Sequence, residues 1–318
     1  MAVIGFHASH EQIGPAQLLR DVQLAEQAGF GAAMCSDHLE PWSRRQGHSG
    51  FAWSWLGAAL ATTRLPFGVV NAPGQRYHPS VVAHAAGTLG CMFPGRFWLA
   101  LGSGENLNEH VTGDPWPAKE VRQRRLEESA AVIRRLLLGE EVSHEGLVRV
   151  DRARVWDVPP DPPPLIAPAV SAETAARSAA WADGVITVNQ HPGALAELLS
   201  AYRSAGGRGK AALQVHLSWA PDEAEALALA HDQWRNAAVT PPRTWDISSA
   251  AEFDEATRDV TPGQMRDAVL VSSDLGRHAA WLEEFLGLGF DVLYLHHVGQ
   301  EQERFIRTFG EHVIPRLA

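Results

Sequence analysis

Short apolar runs of strand length alternate along the chain with longer stretches in which apolar residues recur at helical spacing, the rhythm of βα units on a parallel sheet. Strands are predicted over residues 3–7, 31–35, 67–70, 97–101, 165–167, 184–188, 213–219 and 292–296, and helices over 15–28, 51–62, 79–92, 118–138, 171–180, 192–204, 221–234 and 301–316. The first helix carries Leu18, Leu19, Val22, Leu24 and Ala25 on one face, opens at Pro15 and stops at Gly29. Eight strand segments in series predict an α/β fold of the (β/α)8 TIM barrel type, with residues 1–318 as a single domain, rather than a doubly wound sheet.

Two stretches break the rhythm. Within residues 140–164, EVSHEGLVR reads as a short hairpin, and PPDPPP at 159–164 excludes helix and central strand. Because the βα rhythm resumes directly afterwards, this is read as an excursion inside one barrel. Residues 235–288 are too long for a βα connection. They are predicted to be a helical insertion before the last strand, lying over the barrel mouth.

The 27 Lys and Arg against 37 Asp and Glu give a net charge of −10, which argues against nucleic acid or an anionic membrane as the main partner. Cys35 and Cys91 belong to no CxxC pair, so neither a disulfide framework nor a zinc knuckle is expected. The first residues lack the pattern of a secretory signal and no apolar run approaches the roughly 18 residues of a membrane span, so a cytoplasmic location is expected.

In a barrel of this kind catalytic groups gather at the C-terminal ends of the strands. That rule brings together His7, Ser9, His10 and Glu11 after the first strand, and Ser36, Asp37, His38 and Trp42 after the second. Asn71 follows the third, Ser103, Gly104, Glu105, Asn108 and Glu109 the fourth, and His296 and His297 end the eighth. Asp37 beside His38 suits a general base, an imidazole that titrates near neutrality with a carboxylate to orient it. Adjacent side chains on an extended segment point apart, however, and a capping aspartate next to a surface histidine fits the same dipeptide. GSGENLNE, residues 102–109, offers a turn with open amides for a phosphate or a ring edge, but is neither a P-loop nor a GxGxxG fingerprint. The 15 histidines raise the question of a metal, yet HExxH is absent and His7 and His10 are badly spaced for one ion, so no metal site is predicted. A metal-dependent barrel hydrolase using His7, His38 and His296 is kept as an alternative. Of 11 tryptophans, Trp42, Trp53 and Trp55 fall near the loop after the second strand, where aromatic walls would enclose a flat ligand, although core packing is the commoner role.

Several segments are specific in combination: HASHEQ (7–12), SDHLEPW (36–42), GHSGFAWSW (47–55), RYHP (76–79), FPGRFWLALGSGENLNE (93–109) and GFDVLYLHHVG (289–299). Nearly end to end, the series resembles the luciferase-like flavin and deazaflavin oxidoreductases, most closely the coenzyme F420-dependent glucose-6-phosphate dehydrogenase branch. The resemblance implies a (β/α)8 barrel with a long insertion before its last strand. It implies hydride transfer between the cofactor ring and a small organic substrate, with His38 as acid or base, Glu105 exchanging the ring proton and Trp42 walling the reacting carbon. It further implies Asp37, Ser103, Gly104 and Asn108 as cofactor contacts and Glu11 as the substrate-side acid of the first loop. A non-proline cis peptide is implied at Val69–Val70 or Val70–Asn71, placing Val70 and Asn71 under the ring.

Two departures from that branch matter. Its Gly-Gly turn before the helix after strand five reads Ala169, Val170 here, although amides at the helix start still suit a phosphate. Its phosphate-binding cations correspond to His191, Arg266 and a site near Asp291, of which only Arg266 is a clear cation, so glucose 6-phosphate is not the expected substrate. A related subgroup carrying HASHEQ and SGFAWSW is associated with an ordinary flavin, and both F420 and FMN stay open as cofactor. An FMN-dependent monooxygenase and a flavin-binding protein without turnover are the remaining alternatives, and a homodimer is expected because dimers are common in the family.

Overall fold

In the computed structural model, which describes residues 2–317, eight parallel strands close on themselves. They are β1 (Val3–Ala8), β2 (Ala32–Ser36), β3 (Phe67–Asn71), β4 (Phe97–Leu101), β5 (Leu165–Pro168), β6 (Gly184–Val188), β7 (Lys210–Ser218) and β8 (Val292–His297). Each pairs with the next, and β8 with β1 completes the ring. Around them run α1 (Pro15–Gln27), α2 (Ala52–Thr62), α3 (Pro79–Met92), α4 (Lys119–Leu137), α5 (Ala172–Ser178), α6 (Pro192–Ser204), α7 (Leu275–Gly287) and α8 (Glu303–His312).

The period of two along each strand divides the side chains between two cores. Outward-facing Phe6, Ala33, Cys35, Phe67, Val69, Leu99 and Leu295 pack under the helices with Leu18, Leu56, Ala83, Leu282 and Phe305. Inward-facing Ala32, Met34, Val70, Trp98, Ala100, Ile186 and Tyr294 fill the barrel. Trp98 and Tyr294 hold its base with ring centroids 5.8 Å apart, and Gly68 is required there because a Cβ would fall inside the Trp98 indole. Continued toward the C-terminal ends, the same alternation turns His7, Ser36, Val70, His216 and His296 into the mouth. His297 faces the other way, stacked on Phe305 of α8 at 4.9 Å.

The excursion is a hairpin of Val142–Glu145 with Arg149–Ala153, slightly longer than its sequence pattern suggests. The insertion needs a larger correction. The helical pattern suggests a ring helix over 221–234 and the insertion over 235–288, but the structure exchanges these parts. Ala279, Leu282 and Phe285 of α7 join the main core, whereas Ala226, Ala230 and Trp234 of helix Glu223–Trp234 pack with Met265, Val269, Val271 and Val298 in a cluster of their own. Both helices carry an apolar face, so periodicity does not say which one meets the barrel. The insertion therefore runs over 223–271, from that helix through the short helices Arg243–Asp246 and Ala250–Ala256 to Leu270–Val271, which adds an edge strand to β7.

It does lie over the mouth. Phe253 meets Trp42 edge-on at 5.3 Å, Asn106 Nδ2 donates to the Asp246 carbonyl at 2.9 Å, and Glu40 accepts from the Ala250 amide at 3.1 Å. The cis peptide implied near Val70 is not present: among the described residues the cis bond is Pro241–Pro242. β3 stays regular against β4 as far as Asn71, the Val70 carbonyl accepts from the Asp37 amide, and the Asn71 carbonyl accepts from the Gly102 amide, so the ladder holds trans peptides there. No helix among the described residues is long and apolar enough to cross a membrane.

Candidate active site

His38 sits just past the end of β2, between carboxylates from two other strands. Its Nδ1 is 3.5 Å from Glu11 Oε1, and its Nε2 is 3.7 Å from Glu105 Oε2. Glu11 is buried and its second oxygen accepts from Ser9 Oγ at 2.9 Å. Trp42 leans on the imidazole with ring centroids 5.0 Å apart and is backed by Phe253. Ser49 Oγ donates to the His38 carbonyl at 2.8 Å, and Asn108 Oδ1 accepts from the Leu39 amide at 2.8 Å, which fixes the loop that carries the histidine. Asn108 Nδ2 in turn donates to Glu105 Oε2 at 3.4 Å. Thus the dipeptide Asp37-His38 is not a helix cap; the chain brings His38, Glu11, Trp42, Glu105 and Asn108 to one place.

The two glutamates of the β4 loop have different electrostatics. About a quarter of the Glu105 side chain is accessible, yet the protein around it displaces enough water to push its carboxyl above the usual range, against the lowering field of His38. Glu109 is fully buried and is also pushed up by burial, but is held back by Arg76, whose amide donates to Oε2 at 2.6 Å and whose Nε lies 3.7 Å from Oε1. Gly104 reaches this turn with φ +86°, and a Cβ there would stand 3.1 Å from Glu109 Cγ.

Asp37 points away from His38, as expected for neighbours on an extended segment. Its Oδ2 accepts from Asn71 Nδ2 at 2.8 Å and faces Arg76 at 3.4 Å, while the Arg76 guanidinium also donates to the Asp37 carbonyl at 2.7 Å. Arg76 thereby joins the loops after β2, β3 and β4. Glu109 is among the residues the strand-end rule gathers at the rim, whereas Arg76 is not; the signal available for it was its place in RYHP.

Other expectations fare differently. Trp55 belongs to the core against Phe67 and His10, and Trp53 packs on Phe97, so of the three tryptophans Trp42 alone stands beside His38. The Ala169 amide donates to the Ile186 carbonyl at 2.9 Å, which removes it from any phosphate cradle, and Val170 beside it is exposed. His191 caps α6, its Nδ1 accepting from the Gly193 amide. Arg266 is held outside by Glu223 at 2.8 Å. His7 and His296 stack on one another at 4.3 Å instead of converging with His38, and no three His, Cys, Asp or Glu side chains among the described residues form a metal-binding group.

The mouth has an apolar half at Val70, Gly102 and Pro168 and a polar half at His7, Ser36, His216 and His296. At the border lie buried acceptors that take no hydrogen bond, Asp37 Oδ1 and Asn71 Oδ1. A flat face bordered by such acceptors fits the ring of a flavin or deazaflavin, which is apolar on its faces and carries polar groups at its edge.

Residues 1–292 match the family described as luciferase-like monooxygenase. The F420-dependent glucose-6-phosphate dehydrogenase of Nakamurella multipartita is 35% identical over 327 residues, covering 98% of this chain and 96% of the relative. The enzyme of that name from Microbacterium testaceum is 35% identical over 325 residues, with 98% and 96% covered. Among solved structures, an F420-dependent secondary alcohol dehydrogenase in complex with an F420–acetone adduct superposes with a TM-score of 0.92 at 27% identity, covering 100% of this chain and 99% of that one.

Proposed function

The chain belongs to the luciferase-like monooxygenase family and is an oxidoreductase working with F420 or FMN, and on that footing we propose that it is an F420-dependent hydride-transfer enzyme acting on a small alcohol or carbonyl compound. The observation that carries this reading is His38 held between Glu11 and Glu105 at the barrel mouth. When bound, the deazaflavin accepts or gives a hydride at its ring. His38 takes the proton of the substrate hydroxyl, and the Glu11 carboxylate faces the positive charge the imidazole then bears. Glu105, favoured as the neutral acid by its surroundings, holds or delivers a proton at the ring edge. Trp42 walls the reacting carbon and Asn108 orients Glu105. The names of the relatives and of the superposed dehydrogenase favour F420 over FMN. Glucose 6-phosphate is not the substrate we propose, because Arg266 is occupied by Glu223 and His191 by its own helix.

We take residues 1–318 as one barrel domain working in the cytoplasm. We take the exposed apolar face of Phe51, Val81 and Trp156 as the surface that meets a second copy, and a solution mass near that of the single 34.6 kDa chain would contradict the dimer. The test of the function is anaerobic reduction of F420 by a panel of alcohols, with His38→Ala alongside. Turnover that falls by about 10²–10⁴ in the variant, with F420 affinity kept, supports the assignment. Equal loss of binding and turnover contradicts the role of His38, and substrate-dependent oxygen consumption with FMN contradicts the hydride-transfer reading.

A further inference from the structure

Three imidazoles line the polar half of the mouth, and their hydrogen bonds define each proton position in two of them. Gln12 Nε2 donates to the Val298 carbonyl, so Gln12 Oε1 is the acceptor that faces His296 Nε2 at 2.7 Å. His296 then carries its proton on Nε2 and a lone pair on Nδ1, which takes a bond from Gln214 Nε2 at 3.2 Å. The same amide nitrogen donates to His216 Nε2 at 3.1 Å, which puts the His216 proton on Nδ1. A second proton on either ring would set one N–H against another. His7 lies flat on His296, and Trp234 closes the far side, 4.5 Å from His296 and 5.0 Å from His216. Burial acts in the same sense, pushing His216 down to about 4 and His7 and His296 well below their usual range.

Gln214 and His216 alternate with buried Val215 and Leu217 and keep part of their surface accessible. Both point into the barrel, so that surface opens on the mouth. What they offer is the Nδ1–H donor of His216 and the Oε1 acceptor of Gln214, with no net charge. Two arginines near the rim are already paired: Arg76 is locked by Asp37 and Glu109, and Arg45 by Asp254 at 2.9 Å.

We propose that Gln214 and His216 form a substrate subsite for a second, non-reacting hydroxyl and select uncharged polyols against phosphorylated or carboxylated analogues. The proposal rests on the hydride-transfer reading above. A hydroxyl other than the one that gives its proton to His38 donates to Gln214 Oε1 and accepts from His216 Nδ1–H, satisfying both. An anion at the same place meets an amide and neutral imidazoles in place of a cation, a setting that disfavours partly buried charge.

The test joins three readouts on the F420-loaded protein. kcat/KM is measured for 1,3-butanediol, 1,2-cyclohexanediol and glucose against 3-hydroxybutyrate and glucose 6-phosphate, in the wild type, His216→Gln and His216→Lys. Ligand-observed NMR follows binding of the same compounds, and ¹⁵N NMR reads the imidazoles of the wild type. A preference of at least about tenfold for the uncharged set is expected, kept in His216→Gln and lost in His216→Lys, with His216 neutral and protonated on Nδ1 at pH 7. Turnover of the anionic set alone, or a charged His216 at pH 7, overturns the subsite while leaving hydride transfer standing. Selective binding of the uncharged set without F420 reduction supports the subsite and instead removes the hydride-transfer reading.

Discussion

Glu105 Oε2 faces His38 Nε2 across 3.7 Å, which sets a carboxyl that burial pushes above its usual range beside an imidazole. Two titratable groups side by side in environments of different character are a recurring way to divide acid and base work in one site. The division has consequences that can be measured.

Because Glu105 is raised by loss of water, its protonated form persists above the usual carboxylate range. In the direction where Glu105 gives its proton, activity should fall as pH rises through that raised value, and Glu105→Gln should lose this limb of the pH–kcat profile together with most of the rate. Stability carries the same signature. Between the ordinary carboxylate value and the raised one, the folded protein holds more protons than the unfolded chain, so stability declines as pH rises through the window. Glu105→Gln should flatten that decline in melting curves recorded from acid to neutral pH; an unchanged slope would show that Glu105 does not carry it.

Arg76 is the shared counter-charge of two buried carboxylates, Asp37 and Glu109. Arg76→Met should destabilise the protein by about 3–5 kcal/mol in denaturant melts, since it leaves both acids without a partner. The defect should shrink at acid pH, where Glu109, already raised by burial, takes up a proton once Arg76 no longer opposes it. Arg76→Lys should recover part of the loss. A loss below about 1 kcal/mol in Arg76→Met would show that the pairing is replaceable by water.

Phe253 is fully buried, but in a small cluster with Leu107, Val239 and Ile247 apart from the main core. Phe253→Ala should cost about 3–5 kcal/mol locally and loosen the insertion over Trp42 before the barrel yields. Limited proteolysis should then cut within 239–247 while barrel circular dichroism is intact, with KM rising more than kcat falls. Cleavage and barrel unfolding at the same point would contradict an independent lid.

Much of the barrel was legible because strand and helix periods differ so plainly: β4, β6, α3 and α6 fall where the apolar runs end. What periodicity does not encode is destination. Helix Glu223–Trp234 and α7 both carry apolar residues at helical spacing, and the packing shows that the second joins the ring. The rule that barrel chemistry gathers at strand ends already brings His38, Glu11 and Glu105 to one rim, while the roles of the two glutamates come from the family likeness. Arg76 was missed because an arginine in a loop looks like any solvated cation until Asp37 and Glu109 close on it. The subsite at Gln214 and His216 was hidden for a related reason: the strand over 210–218 begins earlier than its apolar run, and which face of it meets the mouth depends on its register with β8.

The measurement that bears most directly on the central claim is equilibrium titration of the apo protein with oxidised F420 and with FMN, followed by quenching of tryptophan fluorescence. The hydride-transfer account predicts that F420 binds more tightly by at least about tenfold, or about 1.4 kcal/mol. Tighter binding of FMN, or binding of neither, would contradict it.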